Sequence, residues 1–543
     1  MVKFRKQLIR WHKVTAHFSK AHLGACVSAL ALLLGGCSFE SAQPVPKLEV
    51  PKHFQNDAGK MESNQPANKD GDRKDAAPPG PPGKTVNGLP RPQSRWWESF
   101  RAPELNGLVN TALTNNHDLK AAVHRIAEAE AQAGIQAGAL LPNLSLSASA
   151  NNSSPYGGVG TRYTTNPTGT SARLYQIGPT ISYETDFWGK NRASEDSALA
   201  SAKASLYDRE TLAQSLVGQV VTAYLNYLDL CDRLEVAHQN VDNMSRVLKV
   251  VELRRAIGAG ADIEIRQQAT ALAQAQATIP PLALQKEQLR TELAILTGHT
   301  PEGFALKGAS LKSVAFPPLP GSLPSELLSR RPDLRAAAAN IVAADANIAQ
   351  AKAQLLPDFT LSAERGVGSP WMAVLFSPAS YFYSVTAGMT QTLFDNGKSI
   401  SQVDYAKEVY GEKIENYRQA LLTALRDVEN SLAAVRLTQD MEVADARAAE
   451  QAQAAYSLSQ KAFQIGNADY LTILDVERTS YQTEDALVQA RYERLNAMAT
   501  LYQSLGGGTE TAAAKPADKA KPPAPAKVEA SAKPAPSAKG ETP

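Results

Sequence analysis

One stretch of this chain occurs twice. HDLKAAVHRIAEAEAQAGIQAGALLPNLSLS begins at His117, and PDLRAAAANIVAADANIAQAKAQLLPDFTLS begins at Pro332. Asp118 aligns with Asp333 and Pro142 with Pro357, an offset of 215 residues. Further on, DFWGK at Asp186 returns as DNGK at Asp395, and AIGAGAD around Gly258 returns as QIGNAD around Gly466, now at an offset of 208. A tandem repeat of about 200 residues restricts the chain to folds in which one set of elements is laid down twice. Each copy reads as a medium helix, a strand, a loop, a strand, a very long helix, a glycine turn and a second medium helix.

The long helices carry the clearest period. Apolar or small residues at heptad spacing run through Ala213, Leu216, Val220, Ala223, Tyr227, Leu230, Leu234, Ala237, Val241, Met244, Leu248 and Val251. That pattern predicts a coiled-coil-like seam on a helix over 191–256, with a copy over 399–464. Sixty-six residues make a rod of roughly 100 Å. The medium helices, over 118–141 and 262–297, would stack to roughly 90 Å, so each repeat supplies one continuous and one broken rod. Antiparallel rods of matched length are staves for a helical tube. The low aromatic share of 6% suits such packing better than a thick globular core.

The strands, over 143–152, 174–188, 358–366 and 382–394, alternate with a period of two. Ile177, Ile181, Tyr183 and Phe187 oppose Gln176, Thr180, Ser182, Glu184 and Asp186; Tyr383, Val385, Ala387, Met389 and Leu393 oppose Ser384, Thr386, Thr390 and Thr392. Leu144, Leu146 and Ala148 oppose serines, and Phe359, Leu361 and Ala363 oppose Thr360, Ser362 and Glu364. Alternation suits any half-buried sheet. The small hydroxylic polar face and strand lengths near those that cross a bilayer favour a membrane barrel with a wet lumen. Four strands cannot close, and open edges cannot sit in lipid, so chains must pool them; three chains give 12.

The N-terminus reads as an export signal. A basic region that includes Lys3, Arg5, Lys6 and Arg10 precedes an apolar or small-residue run from Leu23 to Gly36. The run is too short to span a membrane as a helix and suits a signal-peptide core. It ends in Leu34-Gly35-Gly36-Cys37, which is similar to a lipoprotein lipobox, with Cys37 as the lipidated residue and Ser38 after it as an outer-membrane sorting cue. The division is then 1–36 signal peptide, 37–94 lipidated Cys37 and Pro-rich tether, 95–298 first repeat, 299–322 linker, 323–508 second repeat, and 509–543 an Ala/Pro/Lys tail with little to bury.

A net charge of +2 argues against a nucleic-acid partner held by bulk charge. Cys26, Cys37 and Cys231 have neither zinc nor redox spacing, and the eight histidines are scattered, so no metal or cofactor is expected beyond the lipid on Cys37. No catalytic constellation is present: GxSxG, P-loop and HExxH patterns are missing, and the chain is not read as an enzyme.

An ordered set of motifs then carries a resemblance: Trp96-Trp97 with Phe100, Pro103 and Leu105; Asn116-His117-Asp118-Leu119 with Ala122; Leu141-Pro142; Asp186-Phe187-Trp188-Gly189; LPSELLSRRPDLRAA from Leu323; and LFDNGK from Leu393. Over 95–507 the chain resembles the bacterial outer membrane factors, the TolC-type efflux proteins, in their lipoprotein (NodT-type) branch. The resemblance implies a mainly α fold with a small β part: a homotrimer with a periplasmic α-barrel and a 12-stranded transmembrane β-barrel. It implies a passive exit duct for small molecules, gripped by a periplasmic adaptor protein and energised by an inner-membrane transporter. Protein secretion and a lipid-anchored coiled-coil scaffold are the alternative readings.

The same resemblance points to residues. Ile257, Gly258, Ala259 and Gly260, and Ile465, Gly466, Asn467 and Ala468, resemble adaptor-contacting tips, or are plain interhelical turns. Asp475 matches one member of an acidic ring that narrows the closed tunnel; its other reading is a solvated helix residue. Thr472 stands where some members carry a second Asp, and Ala468 where some carry an Arg, so closure here departs from the family pattern. Asp186, Gly189, Asp395 and Gly397 are expected at strand–helix junctions, the aspartates as helix caps.

Overall fold

The computed structural model describes residues 85–86, 89–90, 95–153, 172–308, 310–319, 330–465 and 467–507. Its elements are α1 (Pro103–Asn115), α2 (His117–Gly138), β1 (Asn143–Ser153), β2 (Ala172–Thr185), α3 (Lys190–Ala256), α4 (Asp262–Leu296), α5 (Pro332–Ala353), β3 (Asp358–Ser369), β4 (Tyr381–Thr390), α6 (Lys398–Gln464) and α7 (Tyr470–Ser504). The duplication is kept in length. α2 and α5 each have 22 residues, α3 and α6 each have 67, and α4 and α7 each have 35. The repeat description omits α1, which ends where buried Asn116 breaks the helix. The Asn116 Oδ1 accepts the Asp118 and Leu119 amides and starts α2, while its Nδ2 donates to the Leu296 carbonyl at 3.1 Å.

The long rods hold the expected seams. On α6, Leu421, Val428, Val435, Glu442, Ala449, Tyr456 and Phe463 recur every seven residues and are all buried. On α3 the same spacing buries Leu216, Ala223, Leu230, Ala237, Met244 and Val251. The α3 stripe is wider than the predicted seam. Val217, Val221, Tyr224, Leu225 and Leu228 are buried too, because α3 packs against α1, α2, α4, α5 and α7 rather than one partner. Ala213, Leu234, Val241 and Leu248 are only partly buried.

Around this middle section lies the main core. Trp96 stacks on Tyr502 with ring centroids 5.7 Å apart, and Trp97, Phe100, Leu105 and Val109 join Val220, Val221 and Leu225 from α3 and Val428 from α6. The stretch between the repeats takes part, so it is more than a linker. Leu311 and Val314 are buried, the Asp232 carboxylate accepts the Ser310 hydroxyl and the Leu311 amide, and the Ala315 amide donates to the Phe100 carbonyl.

The four strands form one antiparallel meander in the order β1-β2-β3-β4. The register pairs Leu144 with Ile181, Ile181 with Ala363, and Ala363 with Val385. One face therefore collects the apolar members of all four strands, and the other collects Ser145, Ser147, Thr180, Ser182, Thr360, Ser362, Ser384 and Thr386. The apolar face is uncovered: Leu146 is 73% exposed and Tyr383 83%. β3 runs three residues past its expected end, to Ser369, and two strands stop short of theirs. β2 ends at Thr185 and β4 at Thr390, so Phe187 and Leu393 lie beyond the ladder. At the first boundary Asp186 turns its carboxylate into the next helix; at the second, Gln391 donates to the Leu355 and Thr392 carbonyls. The β1–β2 connection spans 154–171 and the β3–β4 connection 370–380, so the seven extra residues of the first repeat fall in that connection.

Candidate functional site

The strand–helix junctions are built alike in both repeats. Gly189 (φ +77°) and Gly397 (φ +83°) sit in left-handed conformation at the N-caps of α3 and α6, where a Cβ is disfavoured. With no side chain at the cap, an aspartate three or two residues earlier reaches in. Asp186 accepts the Asn191 and Arg192 amides, each at 3.0 Å, and Asp395 accepts the Gly397 and Ser399 amides at 3.0 and 2.8 Å. These contacts satisfy amides that the first helical turn leaves free. Trp188 donates to the Pro357 carbonyl at 2.8 Å and Lys190 pairs with Asp358 at 3.0 Å, so the junction also clasps the second repeat.

At the opposite end each hairpin turns tightly. Gly258 adopts φ +74°, and the Gly258 and Ala259 amides return to the Arg255 and Arg254 carbonyls. Those bonds close the end of α3 as a left-handed C-terminal cap. Arg255 and Asp262 pair across the turn at 2.7 Å, which holds the Arg255 guanidinium more basic and the Asp262 carboxyl more acidic than usual. In the second tip the Asn467 amide returns to the Ala462 carbonyl at 2.8 Å, and Asp469 caps α7 by accepting the Thr472 amide at 2.6 Å. Thr472 itself is exposed. Ala468 packs partly against an apolar cluster just above the tips, made of Val247, Val251, Tyr456, Phe463, Tyr470 and Ile473.

The tips present matching apolar side chains to solvent. Ile257 is 73% exposed and its repeat partner Ile465 75%; Ile263 and its partner Leu471 are exposed as well. Four large apolar residues placed in register at two turns have no packing role within the chain. The sequence showed Ile257 and Ile465 but not the second pair, which lies across each turn at the start of α4 and α7.

Asp475 is exposed on α7 and lines a groove of about 830 Å³ between α4 and α7. Its neighbours in that groove include Ile263, Arg266, Leu471, Leu474 and Arg478. The two arginines were not anticipated, and they line the same groove as its one carboxylate. Cys231 is partly buried near Lys286 and Tyr227, and burial pushes its thiol up, away from the reactive thiolate. His117 and His124 are exposed on α2. Among the described residues no group of three or more His, Cys, Asp or Glu is placed to hold a metal, and no helix is long and apolar enough to cross a membrane. Cys37, Gly466, the tether apart from 85–86 and 89–90, the tail and the run from Leu323 to Ser329 lie outside the described residues.

A meander with an uncovered apolar face, set at one end of paired helical rods, defines a class of membrane duct. The comparisons agree. The family model for outer membrane efflux protein matches residues 108–299 and 323–507, and the chain belongs to that family. The pyoverdine export outer membrane protein OpmQ of Pseudomonas putida is 35% identical over 424 residues, covering 77% of this chain and 88% of that protein. The toluene efflux pump outer membrane protein TtgI of the same species is 28% identical over 485 residues, covering 88% and 96%. Among solved structures, the outer-membrane channel OprN superposes with a TM-score of 0.72 at 29% identity, covering 77% of this chain and 93% of that one. The open-state MtrE channel of Neisseria gonorrhoeae gives 0.73 at 27% identity, covering 87% and 98%. The protein is an outer membrane component of efflux, with the mainly helical fold of these channels and a role in transport.

Proposed function

We propose that three copies assemble into a passive exit duct for small molecules. The observation that carries this reading is the sheet. β1 and β4 are edge strands, and every strand turns an apolar face outward. An open edge is intolerable in hydrocarbon, so the edges must pair between copies, and three copies close a barrel of 12 strands. The hydroxylic face would then line a wet lumen, with the helical rods extending it into the periplasm.

Partners follow from the tips. Ile257, Ile263, Ile465 and Leu471 form a doubled apolar rim suited to a periplasmic adaptor protein, which would couple the duct to an inner-membrane transporter. Asp475 would form a ring of three carboxylates at the narrowest point, with Arg266 and Arg478 as its counter-charges in the groove. Thr472 and Ala468 leave that closure lighter than in relatives with fuller charge. Cys37 would carry the lipid anchor. The duct performs no chemistry of its own; names of the relatives such as pyoverdine export and toluene efflux support small molecules as cargo.

Zero-length or short cross-linking between a cysteine on β1 and one on β4 tests the assembly. Covalent trimers that resist denaturing detergent are expected. Monomers alone, or a protein that stays dissolved without detergent once Cys37 is replaced, would refute it.

A further inference from the structure

Above the tips, one buried acid has no cationic partner. Glu477 on α7 is 2% exposed, and its Oε2 makes no hydrogen bond. Its Oε1 has the Tyr456 hydroxyl, at 3.5 Å, and the Gln268 side chain, whose Nε2 donates to the Met244 carbonyl, is the other polar group that acts on the carboxyl. Buried carboxylates are paired, neutral or bound to a metal ion.

Glu477 opens on a small cavity of about 60 Å³ between α3, α6 and α7. The walls are oxygen-rich: Glu477, Glu484 and Ser480 from α7, Asn240 from α3, and Gln453 from α6. Glu477 and Glu484 are two turns apart on one face of α7, roughly 10 Å at the backbone, so their side chains can converge on one point. Ser480 lies between them and donates to the Gln453 Oε1 at 2.9 Å. A space of this size holds one ion with a water or two. The lining has no imidazole, thiol, Lys or Arg. Hard oxygen donors of irregular geometry suit calcium-like ions and not soft metals.

We propose that this cavity is a binding site for one hard divalent cation, held by Glu477 and Glu484 and tying α3 of the first hairpin to α6 and α7 of the second. Other groups face the site from each packed element. Arg246 on α3 lies near the Tyr456 hydroxyl, Lys312 from the inter-repeat turn reaches towards Glu484, and Tyr470 with Gln268 closes the lower side. None forms an ion pair with Glu477. Burial pushes the Glu477 carboxyl up to about 7, and burial also raises Glu484, so protons compete with the cation. The site is separate from the Asp475 ring, which needs three chains; this one lies within a single chain.

The test uses the full chain in detergent, stripped with EDTA and titrated with Ca²⁺ by calorimetry and thermal melting. One Ca²⁺ per chain is expected, with a raised melting temperature and an affinity that weakens at least tenfold from about pH 8 to about pH 6. Glu477→Gln and Glu484→Gln should each weaken binding at least tenfold, while Asp475→Asn retains it. Glu484 is only partly buried, so its variant keeps the test open should Glu477→Gln fold poorly. Absence of Ca²⁺ binding at millimolar concentration, unchanged binding in both glutamine variants, or loss of binding in Asp475→Asn would overturn the proposal.

Discussion

Without a divalent cation, Glu477 is a liability above neutral pH, and its size can be worked out. The carboxyl is held at about 7 in the folded chain against its ordinary value of 4.5, chiefly by burial. A group with a raised folded-state pKa binds its proton more tightly when folded. Its stabilising contribution is full below about pH 4.5 and is lost as pH rises to about 7. Above that, the buried charge destabilises each chain by on the order of 3 kcal/mol. Glu477→Gln keeps the shape and one acceptor for Tyr456 and removes the charge. In EDTA, the variant should match the wild type near pH 5 and exceed it near pH 8, by a few degrees in melting temperature for a chain of this length. Circular dichroism of the helical signal follows both. Parallel melting of the two proteins across this range would show that Glu477 is solvated or paired, and would refute the reasoning.

Other expectations can be checked as directly. Asp475→Ala should raise the conductance of the closed channel in planar bilayers; an unchanged closed state removes Asp475 from the constriction. Ile257→Ser combined with Ile465→Ser should abolish efflux-dependent resistance in cells while leaving trimers intact, since both side chains are solvent-exposed and support nothing within the chain. Phe463→Ala should destabilise by about 3–5 kcal/mol, because it opens the apolar cluster that joins the two hairpins and removes the ring beneath the Arg254 guanidinium, 4.6 Å away; this reads out as a lower melting temperature and faster proteolysis near the tips.

Much of the architecture was legible because it is periodic. A heptad over about eleven turns and a two-residue alternation on four strands leave few alternatives, and the repeat checked each against its copy. Strand ends were less legible. Phe187 and Leu393 continue the apolar alternation, yet Asp186 and Gln391 spend their side chains on local backbone groups and end the ladder first. The width of the α3 stripe was hidden because the heptad describes one partner, and α3 has five. Charged groups brought together from distant parts of the sequence were the hardest to see. Arg266 lines the same groove as Asp475 from more than two hundred residues away in sequence, and Glu442, at a heptad core position on α6, is matched by Arg491 and Arg494 from α7 at 3.3 and 2.7 Å. No local pattern announces such pairs. Nothing in the sequence singles out Glu477, since burial of its face depends on α4 and α6 together.

The central claim is a channel closed by the sharing of strands between copies. Purified protein added to planar bilayers tests it most directly. Discrete conductance steps, carried by a species that runs as a detergent-resistant trimer and heat-dissociates to monomer, are the predicted result. A monomeric protein that leaves the bilayer silent would contradict it.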